Sequence, residues 1–154
     1  MKIGIAFSAG GHYLEAMNAC KALVAEGQHS YFYVTYWQKN PPAGNARVHY
    51  VAHPKHGWAV RRAWLLLLNV VQSVGVYMKE KPDLIISTGA DVTLPTMLVA
   101  KLFGKKLIFI ESGANVTQPS LTGRLIYRFA DLFLIQWEEL KTHYPRAVYG
   151  GPLL

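Results

Sequence analysis

Apolar residues in this chain fall into short continuous runs separated by longer stretches with helical spacing. Ile3 to Phe7 is a compact apolar run ending in Ser8-Ala9-Gly10-Gly11, after which Leu14, Met17, Cys20, Leu23 and Val24 recur at helical intervals up to Gly27. Ser30 to Tyr36 alternates aromatic and β-branched residues as a strand does. Asn40-Pro41-Pro42-Ala43-Gly44-Asn45 then breaks the pattern, and Val48 to Val51 reads as a short third strand. Trp58 to Lys79 predicts a long helix, uncharged from Ala63 to Met78, interrupted by Asn69, Gln72, Ser73 and Gly75, and stopped at Pro82-Asp83. Leu84 to Gly89 and Leu107 to Glu111 read as buried strands, with a helix from Leu94 to Phe103 between them. A polar loop from Ser112 to Pro119 leads to a helix from Ser120 to Phe129, then a strand from Leu132 to Gln136, a short helix and a strand near Ala147 to Tyr149.

This alternation predicts an α/β fold: one Rossmann-like domain over residues 1–154, with a parallel sheet covered by helices on both faces. Such sheets bind ligands at the carboxyl ends of their strands. The informative segments are therefore Ser8 to His12, Thr88 to Asp91, Glu111 to Thr122 and Gln136 to Glu138.

Composition, 51% apolar and 16% charged, suits one folded domain. Charge adds more: sixteen Lys and Arg against nine Asp and Glu draw the protein toward phosphates, nucleic acid or acidic lipid. No reading helix or aromatic RNA platform is recognisable, so a nucleic-acid partner is not expected. The single Cys20 excludes an intramolecular disulfide and a multi-Cys zinc site, and fits a reducing cytoplasm. The opening apolar run is too short for a signal peptide or a spanning helix.

Adjacent Gly10 and Gly11 at a strand-to-helix turn let backbone N–H groups approach an anionic or hydroxyl-rich ligand, or merely make a tight turn. The loop is neither GxGxxG nor a P-loop, and no cofactor is expected. His12 is a candidate general base, with a helix-start role as its bland alternative; Glu15, one turn on, either orients it or favours the helix start. Glu111 ends an apolar strand, where its desolvated carboxylate needs hydrogen bonds or a ligand hydroxyl. Ser112, Asn115, Ser120 and Thr122 surround it with polar groups, Ser120 reading as a helix cap. Gln136, Trp137 and Glu138 suit a protein interface or a sugar platform, against core packing of the Trp. No Ser/His/Asp order, HExxH spacing or His pair supports a hydrolase or a metal site. Lys55, His56, Arg61 and Arg62 beside Trp58 and Trp64 fit a membrane interface; the alternative is a core helix with a basic first turn. The uncharged stretch, about sixteen residues with several polar ones, is not expected to span.

Ser8-Ala9-Gly10-Gly11-His12-Tyr13-Leu14-Glu15, Ile86-Ser87-Thr88-Gly89-Ala90, Glu111-Ser112 and Pro119-Ser120-Leu121-Thr122-Gly123-Arg124-Leu125-Ile126-Tyr127 together resemble the PssD/CpsF group of bacterial polysaccharide-synthesis proteins. Ala130 to Leu140, Tyr144-Pro145 and Tyr149-Gly150-Gly151-Pro152 extend the match over nearly the whole chain. That group is related to the membrane subunit of the eukaryotic dolichol-linked GlcNAc transferase, and more faintly to the amino-terminal half of MurG-type GT-B enzymes. The resemblance implies a subunit of a UDP-sugar-dependent hexosyl- or glucuronosyltransferase, inactive alone. It would bind a polyprenyl-diphosphate-linked sugar on the cytoplasmic membrane face while a separate subunit holds the UDP-sugar; the alternative is a non-catalytic scaffold that activates that subunit. It further implies His12 as base, with Ser8, Gly10, Gly11, Glu15, Gly89, Glu111, Ser112, Asn115, Ser120, Thr122 and Gly123 at the acceptor. Lys55, Trp58, Arg61, Arg62 and Trp64 would meet the membrane, and Gln136, Trp137 and Glu138 the partner. The group commonly carries Ala-Arg where this chain has Ala114-Asn115, which weakens the expectation of a phosphate contact there. The eukaryotic relatives carry an amino-terminal membrane helix not seen here, so attachment is expected to be peripheral and salt-sensitive.

Overall fold

The computed structural model describes residues 1–39, 42, 46–54 and 58–153; Lys55 and His56 lie outside the described residues. The chain runs β1 (Lys2–Ala6), α1 (Gly11–Ala25), β2 (Ser30–Thr35), β3 (Arg47–Tyr50), α2 (Ala59–Glu80), β4 (Leu84–Ser87), α3 (Leu94–Leu102), β5 (Lys106–Ile110), α4 (Leu121–Ile126), β6 (Leu132–Ile135) and β7 (Val148–Tyr149), with 3₁₀ turns at Asp91–Thr93 and Glu138–Thr142. The strands form one parallel sheet in the order β3-β2-β1-β4-β5-β6-β7. The chain builds outward from β1 to β3, then returns to place β4 on β1's other side. The β1/β4 junction is therefore the topological switch point, where open α/β sheets leave a crevice for ligands.

Continuous apolar strands require cover on both faces, and they receive it. Ala16 and Cys20 of α1 pack over Ile3, Ile5, Tyr33 and Ile86. On the opposite face Val76 of α2, Met97 and Ala100 of α3 and Ile126 of α4 meet Phe32, Ile85, Leu107, Phe109 and Phe133. Cys20 is buried, and burial pushes its thiol up to about 11.

Helix α2 is inserted with its polar side inward. Buried Asn69 donates to the carbonyls of Ala52 (2.7 Å) and Val92 (2.9 Å), while Ser73 bonds Asn69 Oδ1 and Thr96 Oγ1, both at 3.0 Å. At its end Glu80 meets Lys2 and Arg47 at 2.7 Å and His49 at 2.6 Å. Burial works to raise that carboxyl, but the Lys2, His49 and Arg47 contacts outweigh it and hold it at about 2. Trp64, Leu67, Val71 and Met78 point to solvent, each more than half exposed. This is not the core helix of the alternative reading, because most of its apolar side chains are exposed. At 22 residues, roughly 33 Å long, it is the one helix among the described residues with the length and apolarity of a membrane span.

Candidate functional site

The loops after β1 and β4 lock together at the switch point. Thr88 Oγ1 donates to the His12 carbonyl (2.7 Å), and His12 Nδ1 lies 2.8 Å from the Thr88 carbonyl. A carbonyl only accepts, so Nδ1 carries the proton and Nε2 is left as the basic nitrogen of the neutral ring. Glu15, 1% exposed, places Oε2 at 3.6 Å from Nδ1, an ionic contact too long for a hydrogen bond. The Glu15 carboxylate raises the His12 pKa above its usual 6.5; burial opposes this, and the Thr88 carbonyl adds to it. Burial works to raise the Glu15 carboxyl in turn, yet His12, the Gly113 N–H and Gln136 bring it below its ordinary value.

Glu15 is held for this task by its other oxygen. Oε1 accepts from the Gly113 N–H (2.6 Å), Gln136 Nε2 (3.1 Å) and Ser112 Oγ (3.2 Å), leaving Oε2 toward His12 with no hydrogen bond. Helix α1 begins above the same crevice with no side-chain cap, and Gly10, its first flanking residue, has φ +72°, a conformation that favours glycine. A methyl group built on Gly10 or Gly11 would meet nothing within 4 Å, so the loop is open to an approaching ligand. Ser8 is buried beneath it. Gly89 at φ +98° and Ala90 at φ +73° make the β4 turn, and Thr93 Oγ1 braces it at both carbonyls, 3.0 and 2.8 Å away. A non-glycine residue in that region stores backbone strain on the order of 1–3 kcal/mol, a feature that concentrates at ligand sites.

Glu111, also 1% exposed, does a structural job. Oε1 accepts from Ser112 N and Asn115 Nδ2, both 3.2 Å; Oε2 accepts from Tyr144 Oη at 2.9 Å and Ser120 N at 3.3 Å. Asn115 thus turns inward, and Ser120 caps α4 by accepting from the Gly123 N–H at 2.8 Å. Thr122 and Gly123 are buried. Gln136 corrects the exposed-interface expectation: it is 2% exposed, its Nε2 also donates to the Glu111 carbonyl (3.0 Å), and its Oε1 accepts from Leu153 N (2.8 Å). Trp137 is only partly exposed, with Nε1 bonded to the Gly113 carbonyl (2.7 Å); Glu138 is on the surface.

So the structure gathers His12, Glu15, Gly89 and the Gly10-Gly11 loop at one crevice. Glu111, Ser112, Asn115, Ser120 and Gln136 form the frame behind it. Trp58, Arg61, Arg62 and Trp64 stand apart, exposed on the first turns of α2 and just before them. Sequence reasoning missed the role of Thr88, whose partner is 76 residues away, and the anchoring phenol of Tyr144. It also passed over His53, whose Nε2 lies 3.2 Å from Asp91 Oδ1.

A family model described as "Oligosaccharide biosynthesis protein Alg14 like" matches residues 55–153. The UDP-N-acetylglucosamine transferase subunit ALG14 of Rattus norvegicus is 33% identical over 106 residues, 62% of this chain and 49% of that protein. Its counterpart in Schizosaccharomyces pombe is 40% identical over 75 residues, 46% of this chain and 36% of that protein. The chain spans about half the length of the first of these relatives. Among solved structures, Acinetobacter baumannii MurG superposes with a TM-score of 0.68 at 18% identity, over 87% of this chain and 40% of that one. The UDP-GlcNAc 2-epimerase of Neisseria meningitidis does so with 0.70 at 13%, over 94% and 42%. These structures share the fold: a parallel sheet flanked by helices, as in the amino-terminal half of GT-B proteins.

Proposed function

The chain belongs to the Alg14-like family of oligosaccharide biosynthesis proteins, and from that premise we propose that it is the acceptor-binding subunit of a two-component glycosyltransferase at the cytoplasmic membrane face. A separate subunit holds the UDP-sugar. The acceptor is a polyprenyl-diphosphate-linked sugar, extended into an exopolysaccharide or capsule repeat unit in the manner of the PssD/CpsF group. The observation that carries this reading is the His12 constellation: a basic Nε2 at the switch point, its ring held by Thr88 and backed by a buried carboxylate. There Nε2 takes the proton from the attacking sugar hydroxyl, while the uncapped α1 start favours the acceptor's phosphates. A cavity of about 350 Å³ between α2 and the β4 turn, lined among the described residues by apolar side chains with Arg62 and Asp91, offers an approach.

The reading is tested by transfer of labelled sugar from UDP-sugars to membrane lipid extracts, with this chain, its partner subunit, or both. Activity in the mixture alone supports it; full activity with the partner alone overturns it.

A second reading, a membrane scaffold that activates the partner without supplying a reacting group, is favoured by the outward apolar side of α2 and the "subunit" designation of the relatives. Both readings place α2 on lipid, with Arg61 and Arg62 at the headgroups. Replacing Trp64 and Leu67 by Ala is expected to weaken partitioning onto phospholipid vesicles by about tenfold or more, given roughly 1.5–3 kcal/mol per large apolar side chain fully removed from water. Flotation with vesicles measures it. Unchanged partitioning would remove α2 from the membrane contact.

A further inference from the structure

A second cavity, of about 540 Å³, opens beside α4, lined by Arg124, Tyr127, Arg128, His143, Tyr144 and Arg146. Among the described residues no carboxylate oxygen lies within 4.0 Å of any of its three guanidinium groups. That distinguishes it from the cavity of equal volume at the amino ends of the strands, where Lys2 and Arg47 are both committed to Glu80. Lys101 and Lys106 are likewise committed to Asp131. Three arginines without a carboxylate partner among the described residues thus share one concave place.

Two further features make this a site. Arg124 on α4 and Arg128 in the turn after it both line the cavity, where like charges repel unless an anion lies between them. Arg146 reaches the same space from another element and is already held: its guanidinium carbon sits 5.2 Å over the Tyr127 ring, and its backbone N–H donates to Tyr127 Oη at 2.7 Å. A positioned cation facing two forked guanidiniums matches the several acceptor oxygens of a phosphate. Beside it runs an apolar stripe, Leu121, Leu125 and Phe129, spaced four residues apart and 74, 49 and 50% exposed. Arg124 and Arg128 directly precede Leu125 and Phe129, so cations and apolar side chains share an edge.

We infer that this cavity binds a phosphate group, and that the adjoining stripe selects one carried by an anionic lipid, whose chains lie on Leu121, Leu125 and Phe129. The site stands on other residues than the α2 membrane contact and does not depend on it.

The test compares binding of the full chain to phosphatidylcholine vesicles with and without phosphatidylglycerol, for the unaltered protein, Arg124→Gln, Arg146→Gln and the pair. The preference for phosphatidylglycerol is expected to fall roughly fivefold for each arginine removed, with binding to pure phosphatidylcholine unchanged. Replacing Trp64 and Leu67 on α2 weakens both vesicle types alike, so the two contacts fail distinguishably. Inorganic phosphate forms the second arm. If it raises the melting temperature of the unaltered protein but not of the pair, while the lipid preference ignores both arginines, the phosphate chemistry stands and its carrier is a soluble compound. Neither phosphate nor lipid responding to the arginines overturns the proposal, as does a pair whose only defect is loss of the partner subunit. Far-ultraviolet circular dichroism of each variant excludes unfolding as the cause.

Discussion

With His12 replaced by Ala in the proposed two-subunit enzyme, sugar transfer is expected to fall by about 10²- to 10⁴-fold, the usual contribution of a positioned general base. Complex formation should persist, because the ring's contacts are with Thr88 and Glu15 within this chain. Only neutral His12 accepts a proton, so kcat/KM should rise with pH through a midpoint above 6.5, the direction in which Glu15 shifts the imidazole. Glu15→Gln keeps an acceptor oxygen for Gly113 but removes the charge, so its midpoint should move down. The linked stability runs the other way. A raised folded-state pKa means that protonated His12 stabilises the fold below about pH 6.5, and this contribution is lost as pH rises through the raised value. Transfer that survives His12→Ala, with an unchanged acid limb in Glu15→Gln, would leave the scaffold reading in possession.

The sheet was legible because its strands are nearly continuous apolar runs, and a run of that kind has one low-energy destination, the middle of a covered parallel sheet. Helix α2 shows where legibility stops. Its length could be read from the uncharged stretch, but helical spacing only says which residues share a face; it does not say which face turns inward. Apolar residues outnumber polar ones along α2, so the default is to bury them. The fold instead buries Asn69, Ser73 and Glu80, because the carbonyls of Ala52 and Val92, the Thr96 hydroxyl, the Lys2 and Arg47 cations and the His49 ring wait there. Those partners come from β1, β3, α3 and the loops beyond β3 and β4, and no local window contains them.

The same limit governed the carboxylates. Glu15 and Glu111 both stood out: Glu15 either orienting His12 or favouring the helix start, Glu111 with ligand contact and structural bonding equally open. Their division of labour depends on Gln136 and Tyr144, 121 and 33 residues away respectively. Gln136 looked like surface because it follows a strand among polar residues. In the fold it ties Glu15 to the Glu111 backbone, and so couples the His12 loop to the frame.

Gly123→Ala is expected to be the most damaging single methyl group that can be added to this frame. A Cβ at that position would overlap Glu111 Oε2 and stand 2.6 Å from Tyr144 Oη and 2.9 Å from Ser120 Oγ. None of these is the free end of a flexible side chain: the phenol and the carboxylate are buried and bonded to each other, and the hydroxyl caps α4. Overpacking alone costs about 1–3 kcal/mol, and a buried acceptor displaced from its donors adds roughly 1–3 more. A loss of about 3 kcal/mol corresponds to a fall in melting temperature of roughly 6–12 °C for a domain of this size. Gly11→Ala is the matched control, since its Cβ meets nothing within 4 Å. It should change stability by less than about 0.5 kcal/mol. If it also depresses transfer, the added methyl group occupies space that the acceptor uses. Thermal unfolding of the two variants side by side decides the matter: equal melting temperatures would mean that the loop carrying Ser120 and Gly123 yields, and that Glu111 does not hold it as rigidly as its four hydrogen bonds indicate.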